Sequence, residues 1–208
     1  MFRDTADIVI IGGGPAAREA ATILPRARLV AGPDETVWHA QDHTLWIETA
    51  GGLGTLTFSR LLLCADEPLL LLALGCAFRA ERPMVDERGE TSRSGVFAAG
   101  PVLGAADGEA EARQARIAAR ALAGLPPGGR ITVAPAAAAS ASCARLDPVG
   151  IAALLEQEPG PGRNRAALAQ AALLGSVMPA RPVGFAALAA AAGPVEPKPT
   201  QQDAGLLS

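Results

Sequence analysis

The sequence predicts an α/β fold in which a parallel sheet is joined to a β-meander and followed by a small C-terminal helical module and an extended tail. Three observations point there. The run Ile8-Val9-Ile10-Ile11 breaks into Gly12-Gly13-Gly14-Pro15 and resumes as Ala16-Ala17-Arg18-Glu19-Ala20-Ala21, a short apolar strand turning through glycines into a helix. Residues 37–57 alternate apolar and polar with glycine turns between, the pattern of a meander. Half of the 208 residues are hydrophobic, enough to build a core.

The glycine run has the grammar of a dinucleotide site. Gly12 makes the tight turn, Gly14 lets the backbone approach a pyrophosphate, and Ala17 lets the new helix pack close to the strand. The unpaired N–H groups and the dipole at the start of that helix favour phosphate charge. Gly12, Gly13, Gly14, Pro15, Ala16 and Ala17 are therefore the first candidate cofactor-binding residues.

Along the chain, Arg18 to Leu24 reads as a short helix stopped by Pro25, and Ala27 to Ala31 as a second strand. After the meander, Arg60 to Ala65 and Leu69 to Ala77 read as two buried strands separated only by Asp66-Glu67-Pro68. A strand from Met84, a turn at Gly89, a loop and a short strand ending at Gly100 follow, and then an Ala-rich helix over Ala105 to Leu122, ended by the glycines and prolines of 124–129. The predicted division is a nucleotide-binding domain over 1–125, a linker over 126–142 containing the Ala/Ser run Ala134 to Ser142, a helical module over 143–192 and a tail over 193–208. In the module, Asp147-Pro148 opens one helix through Glu158, a second runs from Asn164 to Leu174 and a third from Val183 to Ala192.

Composition narrows the function classes. A net charge of −3, with both signs interspersed, leaves no basic face, which argues against nucleic acid and anionic membrane as partners. Tyrosine is absent and aromatics make up 3%, so the core must be built from Ala, Leu, Val and Ile. Cys64, Cys76 and Cys143 form no C-x-x-C, as expected of a chain kept in a reducing cytoplasm. The opening Met1-Phe2-Arg3-Asp4 and the early glycine break predict no secretory signal, and the longest apolar run, Leu69 to Ala77, is far too short to span a bilayer.

Thr91-Ser92-Arg93-Ser94-Gly95-Val96-Phe97-Ala98-Ala99-Gly100 looks like the second flavin-binding segment of the two-dinucleotide-binding-domain flavoproteins. Within that superfamily the chain most resembles the nucleotide-binding, alpha-type subunits of heteromeric FAD-dependent amine and imino-acid dehydrogenases. These are the alpha subunits of sarcosine oxidase and of opine or hydroxyproline dehydrogenases, and the middle subunit of hydrogen cyanide synthase. Arg60 to Leu63, Leu72 to Arg79, Val85 to Gly89, Gly108 to Arg113 and Met178 to Leu188, the last containing Arg181-Pro182-Val183, stand in that family's order. The resemblance implies a reduced Rossmann-like FAD/NAD(P)-binding domain. It lacks the family's NAD domain, whose place falls between Pro68 and Leu69, and such a deletion predicts apolar surface uncovered at that junction.

The resemblance also implies FAD or an adenine nucleotide as cofactor. The family's ribose-binding acid falls near Ala31-Gly32-Pro33, with Asp34 the nearest acidic candidate. The acid that follows the second segment's Gly100 is replaced by Pro101, which has no N–H and no side-chain acceptor. Only Cys143 stands near the family's four iron–sulfur ligands, so no cluster is expected in this chain. What is implied is an accessory subunit with little or no catalysis of its own, partnered with a catalytic FAD-dependent amine or imino-acid dehydrogenase subunit in a hetero-oligomer. The alternatives are a stand-alone small FAD-binding electron-transfer flavoprotein and a non-enzymatic adenine-nucleotide-binding module.

Other polar residues have plainer readings. His39 and His43 are four apart, but in strand-like surroundings, and read as packed or solvated histidines rather than metal ligands. Cys64, among leucines, reads as a buried, inert thiol, and Cys76 likewise. Glu109, Glu111, Arg113 and Arg116 read as the solvated side of a helix, with the stretch Gly104 to Gly108 facing a cofactor as the functional alternative. No Ser-His-Asp set or carboxylate pair suggests independent catalysis.

Overall fold

The structure, a computed structural model, describes residues 2–32, 34–79 and 82–133 and the backbone of Cys143–Arg145 and Pro182–Gly184. The elements in chain order are β1 (Phe2–Ile11), α1 (Pro15–Ile23), β2 (Arg28–Val30), β3 (Glu35–Gln41), β4 (Thr44–Thr49), β5 (Gly52–Leu63), α2 (Pro68–Ala73), β6 (Phe78–Arg79), β7 (Arg82–Pro83), β8 (Val96–Ala98), a 3-10 turn at Gly100–Leu103, α3 (Gly108–Leu122), β9 (Cys143–Arg145) and β10 (Pro182–Gly184).

The class is mixed α/β, organised by β5. Along one edge β5 pairs in parallel with β1, from Phe2↔Gly54 to Ile11↔Leu63, and β1 in turn pairs in parallel with β2. Along its other edge β5 serves two partners: its first half pairs antiparallel with β4, from Thr49↔Gly52 to Thr44↔Thr57, and Leu61 to Leu63 pair in parallel with β8. The sheet is thus parallel at one end, in the order β2-β1-β5-β8, and an antiparallel meander β5-β4-β3 at the other.

The residues of β5 record this change. In the meander half burial alternates, with Gly54, Leu56 and Phe58 inward and Thr57 and Ser59 exposed, as for a sheet with one wet face. In the parallel half Leu61, Leu62 and Leu63 are all buried, as for a strand covered on both faces. Arg60 stands at the switch, its guanidinium bonded to Asp7 and to the Leu122 carbonyl, which ties β5 to the end of α3. An alanine-rich seam brings α1 and α3 together: Ala16, Ala17 and Ala20 on one helix and Ala115, Ala118 and Ala119 on the other are buried, small enough for close approach.

Several elements depart from the sequence expectations. Arg60 to Ala65 is no separate strand but the continuation of the last meander strand. Leu69 to Ala77, expected as a strand, is the helix α2 followed by the turn at Leu74-Gly75. Pro68 sits at its first turn, where the missing N–H costs nothing, and leucines, which carry no branch at Cβ, favour helix over strand. Leu70, Leu71 and Leu72 are buried, so the Pro68–Leu69 junction is not an uncovered apolar face.

Met84-Val85 forms only an isolated bridge, Val85↔Thr91, because Asp86 Oδ1 accepts from the N–H groups of Arg88 and Glu90 and folds the chain at once. The long helix starts at Gly108 rather than Ala105, since Asp107 caps it by accepting from Ala110 N–H at 2.8 Å. Val183, expected to open a helix, lies in β10, paired antiparallel with β9. The Ala/Ser linker over 134–142, the helices expected from Asp147 and Asn164, the rest of the one from Val183, and the tail over 193–208 lie outside the described residues.

Candidate functional site

The C-terminal ends of β1, β5 and β8 converge on the turn between β1 and α1. Gly12 is the residue the fold itself demands there. Its φ of +137° is hard for other residues, and a Cβ would stand 3.0 Å from both the carbonyl carbon and oxygen of Cys64 and 3.2 Å from Ala65 N. Two hydrogen bonds hold the crossing, Gly12 N–H to the Val30 carbonyl at 2.9 Å and Cys64 N–H to the Ile11 carbonyl at 2.8 Å.

The next two glycines differ. Gly13 is exposed, and the Ala31 Cβ at 3.9 Å is the nearest atom a Cβ would meet. Gly14 has an ordinary φ of −82°, and its added Cβ would meet only Glu111 Oε2, at 3.7 Å. Neither glycine is required by the chain's own packing. They front the start of α1, which has no side-chain cap and no acid in its own first turn. Pro15 gives up its N–H, Ala16 and Ala17 are fully buried, and their N–H groups find no acceptor among the described residues. Arg18 N–H makes the first helical bond, to the Gly14 carbonyl at 3.1 Å, and Arg18 Nη1 reaches back to the Gly13 carbonyl at 3.2 Å.

The second predicted segment meets the first. Gly100, at φ +80°, lies so close to α1 that a Cβ would be 2.9 Å from the Ala16 Cβ, and its N–H donates to Gln114 Oε1 of α3 at 2.9 Å. The Pro101 carbonyl accepts from Arg82 Nη1 at 3.3 Å, which also reaches the Val102 carbonyl at 3.2 Å. At the start of α3, a Cβ on Gly108 would lie 3.2 Å from Pro15 Cγ, so the two helix N-termini abut. Asp34 is exposed in the loop beyond β2, and Ala31 rather than Asp34 lies against Gly13.

Sequence reasoning left Glu111 on the solvated face of the helix. Folding instead half-buries it between the two glycine segments: its carboxylate faces Gly14, and its Cγ and Cβ lie 3.7 and 3.8 Å from where a Gly100 Cβ would stand. It has no ion-pair partner among the described residues. No local motif marks Glu111; its position depends on α3 packing against α1 across the sheet. Its charge also reaches Cys64, whose thiol is pushed up to about 12, first by burial and then by Glu111. That thiol is inert, as its leucine neighbours predict. At the end of β5, burial and the neighbouring Asp66 raise the Glu67 carboxyl.

The two histidines belong to separate ring stacks. The strand register shifts between Val37 and His39, the rings of Trp38 and Trp46 lie 6.1 and 4.7 Å from that of His39, and burial lowers the imidazole's affinity for a proton, partly offset by a bond with Gln41. His43 instead packs edge-on to Phe58 at 5.5 Å. Among the described residues no group of three or more His, Cys, Asp or Glu could hold a metal ion, and no helix is long and apolar enough to cross a membrane.

No protein-family model matches this chain, and a search of curated proteins finds no match either.

Proposed function

We propose that this chain is a reduced Rossmann-like dinucleotide-binding protein that serves as the accessory, nucleotide-binding subunit of a heteromeric flavin-dependent amine or imino-acid oxidoreductase. One observation supports the nucleotide part of this reading, the partner part resting on the sequence resemblance: Gly13 and Gly14, which the fold does not need as glycines, leave open backbone in front of an uncapped helix whose buried Ala16 and Ala17 N–H groups have no acceptor among the described residues. A diphosphate fits that donor set, since oxygen acceptors would satisfy the amides and the helix dipole favours their charge.

The fit does not extend to the ribityl arm of a flavin. The Pro101 carbonyl is already bonded to Arg82, and no acid follows Gly100 to take up ribityl hydroxyls. No redox step is therefore assigned to this chain. Its residues hold the diphosphate of FAD or of an adenine nucleotide, and oxidation of the C–N bond belongs to a catalytic FAD-dependent partner subunit, which this chain stabilises.

Native mass spectrometry of the assembly, with the full chain, tests both halves. The expected result is a hetero-oligomer containing a dehydrogenase subunit, with an adenine nucleotide released from this chain on denaturation. A homomer holding FAD tightly and oxidising NADH would refute it.

A further inference from the structure

Glu111 is an acid where an anion is to be bound, and no cation among the described residues pairs with it. Its Oε2 would lie 3.7 Å from a Cβ on Gly14, at the mouth of α1, while its own helix is already capped by Asp107. Asp66 and Glu67 follow directly on Ala65, whose N atom lies beside Gly12, and add negative charge on the β5 side of the same turn. The basic side chain that reaches the turn, Arg18, is bonded to the Gly13 carbonyl.

We propose that Glu111 sets the charge class of the nucleotide taken at the glycine turn, rejecting a terminal phosphate monoester and accepting a diphosphate esterified at both ends. This rests on the nucleotide reading given above. The reasoning is electrostatic. The amides of Ala16 and Ala17 and the dipole of α1 attract one anionic group strongly, but only over the first turn. Each additional charge on the ligand then meets the Glu111 carboxylate at short range in a half-buried setting, where repulsion between unit charges a few ångströms apart is much larger than in water. A nucleoside diphosphate carries one more negative charge than the same diphosphate capped by a second sugar, and carries it on the outermost oxygens. Without ligand, the Glu111 carboxylate supplies the negative charge that α1 lacks in its own first turn.

ADP and ADP-ribose form the decisive pair, because they share every group up to the second phosphorus and differ in whether that phosphate is capped. Isothermal titration of the full chain with each, in the wild type and in Glu111→Gln, gives the outcomes. The expected result is that wild type binds ADP-ribose about tenfold more tightly than ADP, and that Glu111→Gln tightens ADP until the preference largely disappears. An unchanged preference in a folded Glu111→Gln chain overturns the role of Glu111 and leaves the site standing. Failure of both ligands to bind either protein, with circular dichroism showing both folded, overturns the site and this inference together. Glu111→Asp, which keeps the charge on a shorter arm, is expected to retain the preference. Its loss there would show that side-chain length rather than charge governs the effect, and would also overturn the proposal.

Discussion

Substituting Gly12 and Gly14 separately by alanine distinguishes what the fold requires from what a ligand requires. At Gly12 the new Cβ would be held at φ +137° and pressed to 3.0 Å from the Cys64 carbonyl, which is backbone of a central strand and has little room to move. The backbone strain costs about 1–3 kcal/mol, and overpacking against a fixed neighbour adds about 1–3 kcal/mol. Gly12→Ala is therefore expected to lose about 2–6 kcal/mol, a large part of the roughly 5–15 kcal/mol that holds a domain folded.

At Gly14 the φ is ordinary and the nearest atom to the new Cβ is 3.7 Å away. The stability cost of Gly14→Ala is expected to stay within about 1 kcal/mol, the small preference for glycine over alanine at a helix N-cap. Its affinity for ADP-ribose should nevertheless fall at least about tenfold, because the methyl group stands where the diphosphate approaches. Urea denaturation followed by circular dichroism gives the first quantity and calorimetric titration the second. A Gly12→Ala chain within about 0.5 kcal/mol of wild type, a change ordinary for an indifferent surface site, would refute the packing account. A Gly14→Ala chain that binds ADP-ribose normally would refute the cradle.

Two further expectations follow from buried titratable groups. Burial keeps His39 less basic in the folded chain than its ordinary 6.5, so the unfolded chain takes up the proton first; its contribution to stability is complete above that pH and declines as the pH falls below it. The melting temperature should fall between about pH 7.5 and about pH 5.5, less steeply in His39→Phe, and an equal slope in both proteins would exclude His39 as the cause. Cys64, with its thiol pushed up to about 12, should stay unmodified by iodoacetamide in the native chain and react once urea unfolds it. Peptide mapping that found Cys64 alkylated at the rate of an open thiol would contradict its burial.

Much of this arrangement was legible because it is local. The glycine turn, the meander and the Ala-rich helix are each marked by neighbours in sequence, and all three form, although α1 begins at Pro15 rather than Arg18, the last meander strand runs on to Leu63 and α3 begins at Gly108 rather than Ala105. The errors came where one stretch has two meanings until its surroundings are known. A leucine run fits a buried strand and a short buried helix equally, and Pro68 at its head, within the separating Asp66-Glu67-Pro68, is the local feature that favours the helix. The alternation that marks the strand ending at Leu63 stops at Arg60, which in sequence resembles a strand boundary, although what changes there is the partner on its outer edge, not the strand. Glu111 was invisible for a different reason. Helical spacing shows that it lies on a polar face, and only the packing of α3 beside α1 shows that this face closes over Gly14.

The shared strand β5 also orders the chain in time. The hairpins joining β3, β4 and β5 close over short turns and can form as soon as their residues are available, whereas β1, made first, finds its long partner only when β5 is complete. Pairings between residues as distant in sequence as Ile11 and Leu63 carry the larger loop-closure cost, so β1 is expected to join after the meander has formed. The glycine turn takes its shape only when that late strand docks, because its contacts at Cys64 and Ala65 belong to β5. Loop-closure cost therefore predicts that the glycine turn forms late despite its place near the N-terminus, so that in pulse-labelling hydrogen exchange the Gly12 and Cys64 amides should gain protection after those of the β3-β4 hairpin.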